Sequence, residues 1–322
     1  MLASISAALV MGLSAGMAQA QTEAPSKEMV VTLLGTGTPL NDPKRFGFSN
    51  LVQAGGLNLL IDAGRGASIR LGQLGVPLGK IDAVFISHFH SDHINGLGDI
   101  YSTGYIPVPT LGGRKDALNV YGPAGTQRLV EGMRAAYALD VETRMADGEV
   151  KESATQMIGH EFDEGVVFEK EGVRVTMFKV FHGENIEPSV GYRVDYGERS
   201  VTFSSDTKYH ENVVKHGKGV DLLVHETGAA PMETMKNPVV QTILNHHASP
   251  EDAGRAFSEA GPKVAVYSHV VRLFGPNGQV SMAEVVERTR ETYSGPLVVG
   301  EDLMQFRLSD KGVSIMQAVT VL

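Results

Sequence analysis

Short apolar runs rich in Val and Ile recur along this chain, separated by stretches whose apolar positions fall at helical spacing. Such runs, bounded by turn residues, read as buried strands. They predict strands over Met29–Leu34, Leu57–Ile61, Ala83–Ile86, Val173–Val180, Ser200–Phe203, Asp221–Val224, Val264–Tyr267 and Leu297–Val299. The helical period predicts helices over Ala67–Leu74, Gly125–Tyr137, Pro250–Ala260 and Met282–Tyr293. Ser249-Pro250-Glu251-Asp252 is a strong start signal, with a capping serine, proline at the first helical position and acids in the first turn. Strands alternating with helices favour an α/β fold whose sheets are covered by helices. Met145–Glu171 is acidic and weakly periodic, and reads as a connecting excursion or small hairpin. Thr103–Gly113, rich in Gly and Pro, reads as an irregular loop.

Composition adds a compartment and a constraint on partners. Leu2–Met17 is apolar and uncharged, and Ala18-Gln19-Ala20 forms a small-x-small cleavage signature, so residues 1–20 read as a signal peptide and 21–322 as one domain. A periplasmic or secreted location follows, and the absence of cysteine agrees with export. Beyond the leader no apolar run reaches the roughly 18 to 20 residues that span a bilayer, which excludes membrane insertion of the mature chain. The formal net charge is −9. The one modest basic cluster is Lys208, His210, Lys215, His216 and Lys218, which a solvated helix end explains as well as a partner does. A nucleic-acid partner is therefore disfavoured, and a small-molecule ester is the expected substrate.

The chemistry is concentrated in His88-Phe89-His90-Ser91-Asp92-His93, where the strand ending near Ile86 runs into a turn. Histidines two apart on an extended backbone point the same way, and Asp92 and His93 are turned past them, so two ligands face one metal and two face its neighbour. Imidazole and carboxylate suit zinc, manganese or iron, and a thiolate site is excluded. A dinuclear site needs further ligands at other strand ends. His182, Asp206 and His269 each follow a predicted strand, where open α/β sheets gather ligands.

The motif His-x-His-x-Asp-His after a buried strand resembles the metallo-β-lactamase superfamily. Leu33-Leu34-Gly35-Thr36-Gly37, Leu60-Ile61-Asp62-Ala63-Gly64 and His90-Ser91-Asp92-His93-Ile94-Asn95-Gly96-Leu97 are similar to the branch that contains ribonuclease Z and the metallo-lactamase-type arylsulfatases. The resemblance implies an αββα four-layer sandwich with two divalent metal ions, zinc foremost, at one edge of its sheets. It implies that His88, His90 and His182 hold one metal, that Asp92, His93 and His269 hold the other, and that Asp206 bridges them. It also implies that a bridging hydroxide attacks, that Asp92 orients it, that His247 is the general acid and that Glu226 holds His247. Dimers are common in that family, which makes a homodimer the oligomer to look for. Asp62 either accepts the free ring N–H of a histidine or bonds its own turn. Phe46, Phe48, Tyr101, Tyr105 and Ile106 are candidates for the rim of the pocket or for the core.

The segment between His182 and Asp206 holds only a short hairpin, where ribonuclease Z proteins commonly insert a tRNA-gripping arm. With the leader and the acidic charge, this favours an exported hydrolase of small phosphate or sulfate esters, phosphodiesterase-like or arylsulfatase-like. A tRNA 3′-processing endoribonuclease comes second, and a lactone or β-lactam hydrolase third. A non-enzymatic metal-binding or sensing protein is the contrasting class, and the full ligand set argues against it.

Overall fold

Residues 27–317 are described by the computed structural model, and the leader expected over residues 1–20 lies outside them. Side chains alternate along β1 (Met29–Gly35), so Met29, Val31 and Leu33 enter one apolar layer while Leu34 enters another. The first sheet continues through β2 (Ser49–Ala54), β3 (Leu57–Ile61), β4 (Ala83–Phe85), β5 (Leu118–Gly122) and β6 (Met157–Glu161). The second contains β7 (Gly165–Lys170), β8 (Val173–Lys179), β9 (Val190–Tyr196), β10 (Arg199–Phe203), β11 (Leu222–Ala229) and β12 (Val264–Arg272). A small hairpin follows, β13 (Phe274–Gly275) and β14 (Gly278–Gln279), and then β15 (Leu297–Val299), β16 (Met304–Ser309) and β17 (Gly312–Gln317). The spatial orders are β17, β16, β1, β2, β3, β4, β5, β6 in one sheet and β15, β12, β11, β10, β9, β8, β7 in the other.

Helices cover both outer faces. α1 (Ala67–Gln73), α2 (Ser91–Ile94), α3 (Leu97–Gly104), α4 (Thr126–Ala136) and α5 (Ala138–Ala146) come from the first half of the chain. α6 (Glu211–Gly217), α7 (Pro238–Leu244), α8 (Pro250–Ala260) and α9 (Met282–Arg290) come from the second. Three apolar layers result. Val31, Leu59 and Phe85 meet Val194, Phe203 and Val224 between the sheets. Leu60, Val84 and Ile100 pack outside the first sheet, and Leu223, Phe257 and Val285 outside the second. This is the αββα sandwich. Among the described residues no helix is long and apolar enough to cross a membrane.

Both sheets change direction where the site is built. β3, β4, β5 and β6 are parallel, as are β10, β11, β12 and β15, so their carboxyl ends gather at one edge. α8 starts as read, with Ser249 accepting from the Asp252 N–H at 3.1 Å and Pro250 in the first turn. Two expectations need correction. Met145–Glu171 is not a plain excursion, because it ends α5 and supplies β6 and β7, one edge strand for each sheet. Each buries only one residue fully, which weakens the apolar signal. β11 and β12 also run well past Val224 and Tyr267, since the polar residues Glu226, Thr227, Ser268 and His269 are buried there.

Candidate metal centre

His88, His90, Asp92 and His93 leave the end of β4 within one turn, Asp92 and His93 lying on α2. The histidine pair and the Asp-His pair divide as the spacing predicts. Ligand atoms of His88, His90, His182 and Asp206 gather within 4.8 Å of one another, and so do those of Asp92, His93 and His269. Asp206 joins the two groups. Its Oδ2 lies 3.6 Å from His182 Nε2 and 3.5 Å from His93 Nε2, and its Oδ1 lies 3.3 Å from His269 Nδ1.

Hydrogen bonds behind the rings set which nitrogen faces the cluster. His182 Nδ1 donates to the His246 carbonyl at 2.8 Å, which leaves the Nε2 lone pair forward. His93 Nδ1 donates to Asp62 Oδ2 at 2.8 Å, with the same result. Asp62 also accepts from the Ser87 N–H and hydroxyl, each at 2.7 Å, so it orients a histidine instead of closing its own turn. Ser87 Oγ, having donated to Asp62, accepts from His88 Nδ1 at 3.0 Å. Burial holds the His88 imidazole well below its ordinary pKa and brings His182 down to about 4, favouring the neutral form that can bind a cation. Burial alone would raise Asp206, but His269 and His93 outweigh it and keep the carboxyl well below the usual range.

These residues fit a divalent metal. His88 Nε2 and His182 Nε2 stand 3.0 and 3.2 Å from His90 Nδ1, so ring nitrogens converge on one point. His93 Nε2, Asp206 Oδ1 and His269 Nδ1 are buried without a hydrogen-bond partner, an expensive state unless a cation completes them.

Backbone strain collects at this edge. Asp62, Ser205 and His269 have φ of 59°, 55° and 54°, in the left-handed region that non-glycine residues rarely occupy. His269 sits where β12 bulges: His225 pairs with Tyr267 and Thr227 with Val270, so Ser268 and His269 together oppose Glu226. The bulge turns the His269 ring to Asp92 Oδ2, 3.0 Å away. The backbone N–H of His269 donates to the Thr36 carbonyl at 3.1 Å. Asp302 in turn accepts from the Thr36 N–H, the Thr36 hydroxyl, the Phe46 N–H and the Arg70 guanidinium. Sequence reading missed Ser87, Thr36 and Asp302. Ser87 touches the motif and could have been suspected, whereas nothing in the chain links Asp302 to a loop 266 residues earlier.

Glu226 pairs with His247, not His246. His247 Nδ1 lies 3.0 Å from Glu226 Oε2, while Oε1 accepts from the Ala248 N–H at 2.8 Å. Burial, and then the Asp206 charge, hold the Glu226 carboxyl well above the usual range, and burial lowers His247 to about 4. Both shifts favour the uncharged partners over the ion pair. His247 also lies within ligand reach of Asp206 and His269.

Of the rim candidates, Phe48 is at the site, its ring 5.1 Å from His93 and 5.7 Å from His269. Phe46 lies under the Arg70 guanidinium at 4.0 Å. Tyr101 and Tyr105 are buried in the outer layer of the first sheet, with Ile106 packed beside them, so they are core.

A family model for the beta-lactamase superfamily domain matches residues 57–270. Ribonuclease Z of Mycobacterium bovis (strain BCG / Pasteur 1173P2) is 32% identical over 274 residues, covering 85% of this chain and 96% of the relative. Ribonuclease Z of Mycolicibacterium gilvum is 32% identical over 276 residues, covering 85% and 94%. The metallo-beta-lactamase fold protein YhfI from Bacillus subtilis superposes with a TM-score of 0.64 at 20% identity, over 87% of this chain and 99% of that one. The short form of human tRNase Z superposes at 0.63 with 22% identity, over 86% and 98%. These structures show the shared fold.

The relatives overturn two expectations: small phosphate or sulfate esters as the substrate, and the small-molecule partner with nucleic acid disfavoured. Relatives named for RNA cleavage are matched nearly end to end, so a chain with this short His182–Asp206 segment suffices for that name. A net charge of −9 is summed over the chain. It does not describe the field at a metal cluster, where bound cations are the largest local charges.

Proposed function

This chain belongs to the metallo-β-lactamase superfamily, in the branch of its ribonuclease Z relatives, and is a metal-dependent hydrolase of ester bonds; we propose that it is an endoribonuclease that processes the 3′ ends of precursor tRNA. The observation that carries this reading is the Glu226–His247 pair beside a seven-residue ligand cluster, in a chain whose relatives are named ribonuclease Z. We assign His88, His90 and His182 to one zinc ion, Asp92, His93 and His269 to a second, and Asp206 to both. Bound divalent ions supply Lewis acidity to a phosphoryl oxygen and make hydroxide available near neutral pH.

The chain's own groups do the rest. Asp206 places a buried negative charge between the two ligand groups, and Asp92 presents a carboxylate that orients the attacking water. His247 faces the cluster with Nε2–H and delivers that proton to the departing ribose oxygen, which as an alkoxide is too basic to leave unaided, while the protonated Glu226 gives its own proton to Nδ1 and becomes the carboxylate. Glu226 holds His247 Nδ1 and fixes the ring for that transfer. A leaving group that needs a proton fits a phosphodiester of RNA better than a nitrophenyl sulfate.

The test incubates zinc-loaded protein with a precursor tRNA carrying a 3′ trailer, with a chelator-treated control, and maps the products. Metal-dependent release of the trailer, leaving a 3′ hydroxyl on the tRNA, is the expected result. Intact precursor under conditions where the protein holds its metal would overturn the reading.

A further inference from the structure

Resting on the RNA phosphodiester reading, we infer that the cleft beside His182 is a subsite for the phosphate that follows the scissile one, with Lys208 as its cation. The cleft has a volume of about 360 Å³, and Phe181, Gly183, Asn185, Lys208, Asn245 and His246 line it. Its floor is made of chain neighbours of the cluster: Gly183 follows His182, and Lys208 stands two residues after Asp206. The His246 ring lies 5.7 Å from the His182 ring, so the cleft lies directly beside the ligand group of His88, His90 and His182. That volume lies within the roughly 300 to 1,000 Å³ of small-ligand pockets, and the lining is mostly polar, with amides, an imidazole, a hydroxyl, one ammonium and one carboxylate.

The structure separates Lys208 from the basic cluster in which the sequence places it. His210 caps α6, accepting from the Asn212 N–H at 3.2 Å. His216 stacks on Phe178 at 4.4 Å, and Lys218 Nζ donates to the Glu259 carbonyl at 3.0 Å. Lys215 is exposed on α6. Lys208 is half-buried at the cleft, its backbone N–H anchored on the Phe181 carbonyl at 2.9 Å, and among the described residues no carboxylate pairs with it. Glu184 also lines the cleft, but it is exposed and free to turn to solvent. A small ester has only the phosphate that occupies the cluster. A polynucleotide brings a second one to an ammonium with no other partner, so the cleft selects chain over monomer.

The test compares two esters with one leaving group, on zinc-loaded protein: uridine 5′-(4-nitrophenyl phosphate) and the same nitrophenyl ester of a uridine dinucleotide, which adds one phosphate on the 3′ side. We expect wild type to prefer the dinucleotide ester by about tenfold in kcat/KM, mainly through KM. Lys208→Ala and Lys208→Gln bring that ratio close to one, and Lys208→Arg restores most of it. In calorimetry on 5′-phosphorylated uridine dinucleotide, Lys208→Ala weakens binding about tenfold and lowers the log–log salt slope by about one. Metal content and thermal midpoint, measured for each variant, exclude misfolding. No preference in wild type, or a preference unchanged in Lys208→Ala, would overturn the subsite and leave the phosphodiesterase reading standing. Turnover of neither ester nor RNA would overturn that reading, and the subsite with it.

Discussion

The two ligand groups at the metal centre are supported in opposite ways. Asp92, His93 and His269 are all buried: Asp62 holds His93 from behind, Thr36 holds the backbone of His269, and Phe48 lies against both rings. In the other group His90 is partly exposed, and the ring of His182 hangs on a carbonyl of the segment between α7 and α8. One group is built into the sheet edge, and the other borders the cleft lined by Gly183, Lys208 and His246. Rigid support suits an ion that stays, and open support suits one that must also bind a substrate oxygen.

Removing what joins the groups should have the largest effect. Asp206→Ala is expected to lower kcat/KM on bis(4-nitrophenyl) phosphate by about a thousandfold or more, about 4 kcal/mol of barrier, while the fold persists by circular dichroism. A loss within about tenfold would mean that Asp206 does not couple them. His247→Ala should cost about 10²- to 10⁴-fold on precursor RNA and far less on a nitrophenyl ester, whose leaving group needs no proton. Equal losses on both substrates would make His247 a third support for the buried group in place of an acid. Graded chelation followed by elemental analysis should remove metal in two steps, and Asp62→Asn should weaken the tighter step by about 10- to 100-fold. A single step would erase the contrast between the groups. Asp302→Ala strips an acceptor from several donors and should destabilise the chain by about 1 to 3 kcal/mol in urea unfolding. Ser205→Gly should change stability by no more than about 1 kcal/mol, because relief of the left-handed backbone is offset by a looser unfolded chain.

What was legible in the sequence follows the same division. The ligands could be found because each follows a predicted strand, and α8 because its cap, proline and acids agree. β2, β5, the small hairpin of β13 and β14, the terminal pair β16 and β17 and the edge strands β6 and β7 were not found; β6 and β7 carry charge on their exposed positions and lose the apolar run. Tyr101 and Tyr105 were ambiguous because aromatic residues serve rims and cores alike, and only packing decides. Ser205 holds a φ of 55°, a backbone conformation that glycine adopts without strain and that nothing in its neighbours' composition announces. The substrate was misjudged because charge was counted along the chain, whereas recognition depends on where single cations stand, as with Lys208.

The tie from Asp302 through Thr36 to His269 has a consequence for synthesis on the ribosome. β1 pairs with β16, and Asp302 fixes the loop that follows β1, so the amino-terminal strand waits for nearly the whole chain before its edge of the cluster can close. Pairing over such a sequence separation is slow and comes late. A nascent chain whose residues from Asp302 onward are still in the exit tunnel would present His88, His90 and His93 before His269 is locked in place. The complete ligand cluster should therefore assemble only once Asp302 has left the ribosome, so that the metal site is among the last parts of the fold to close.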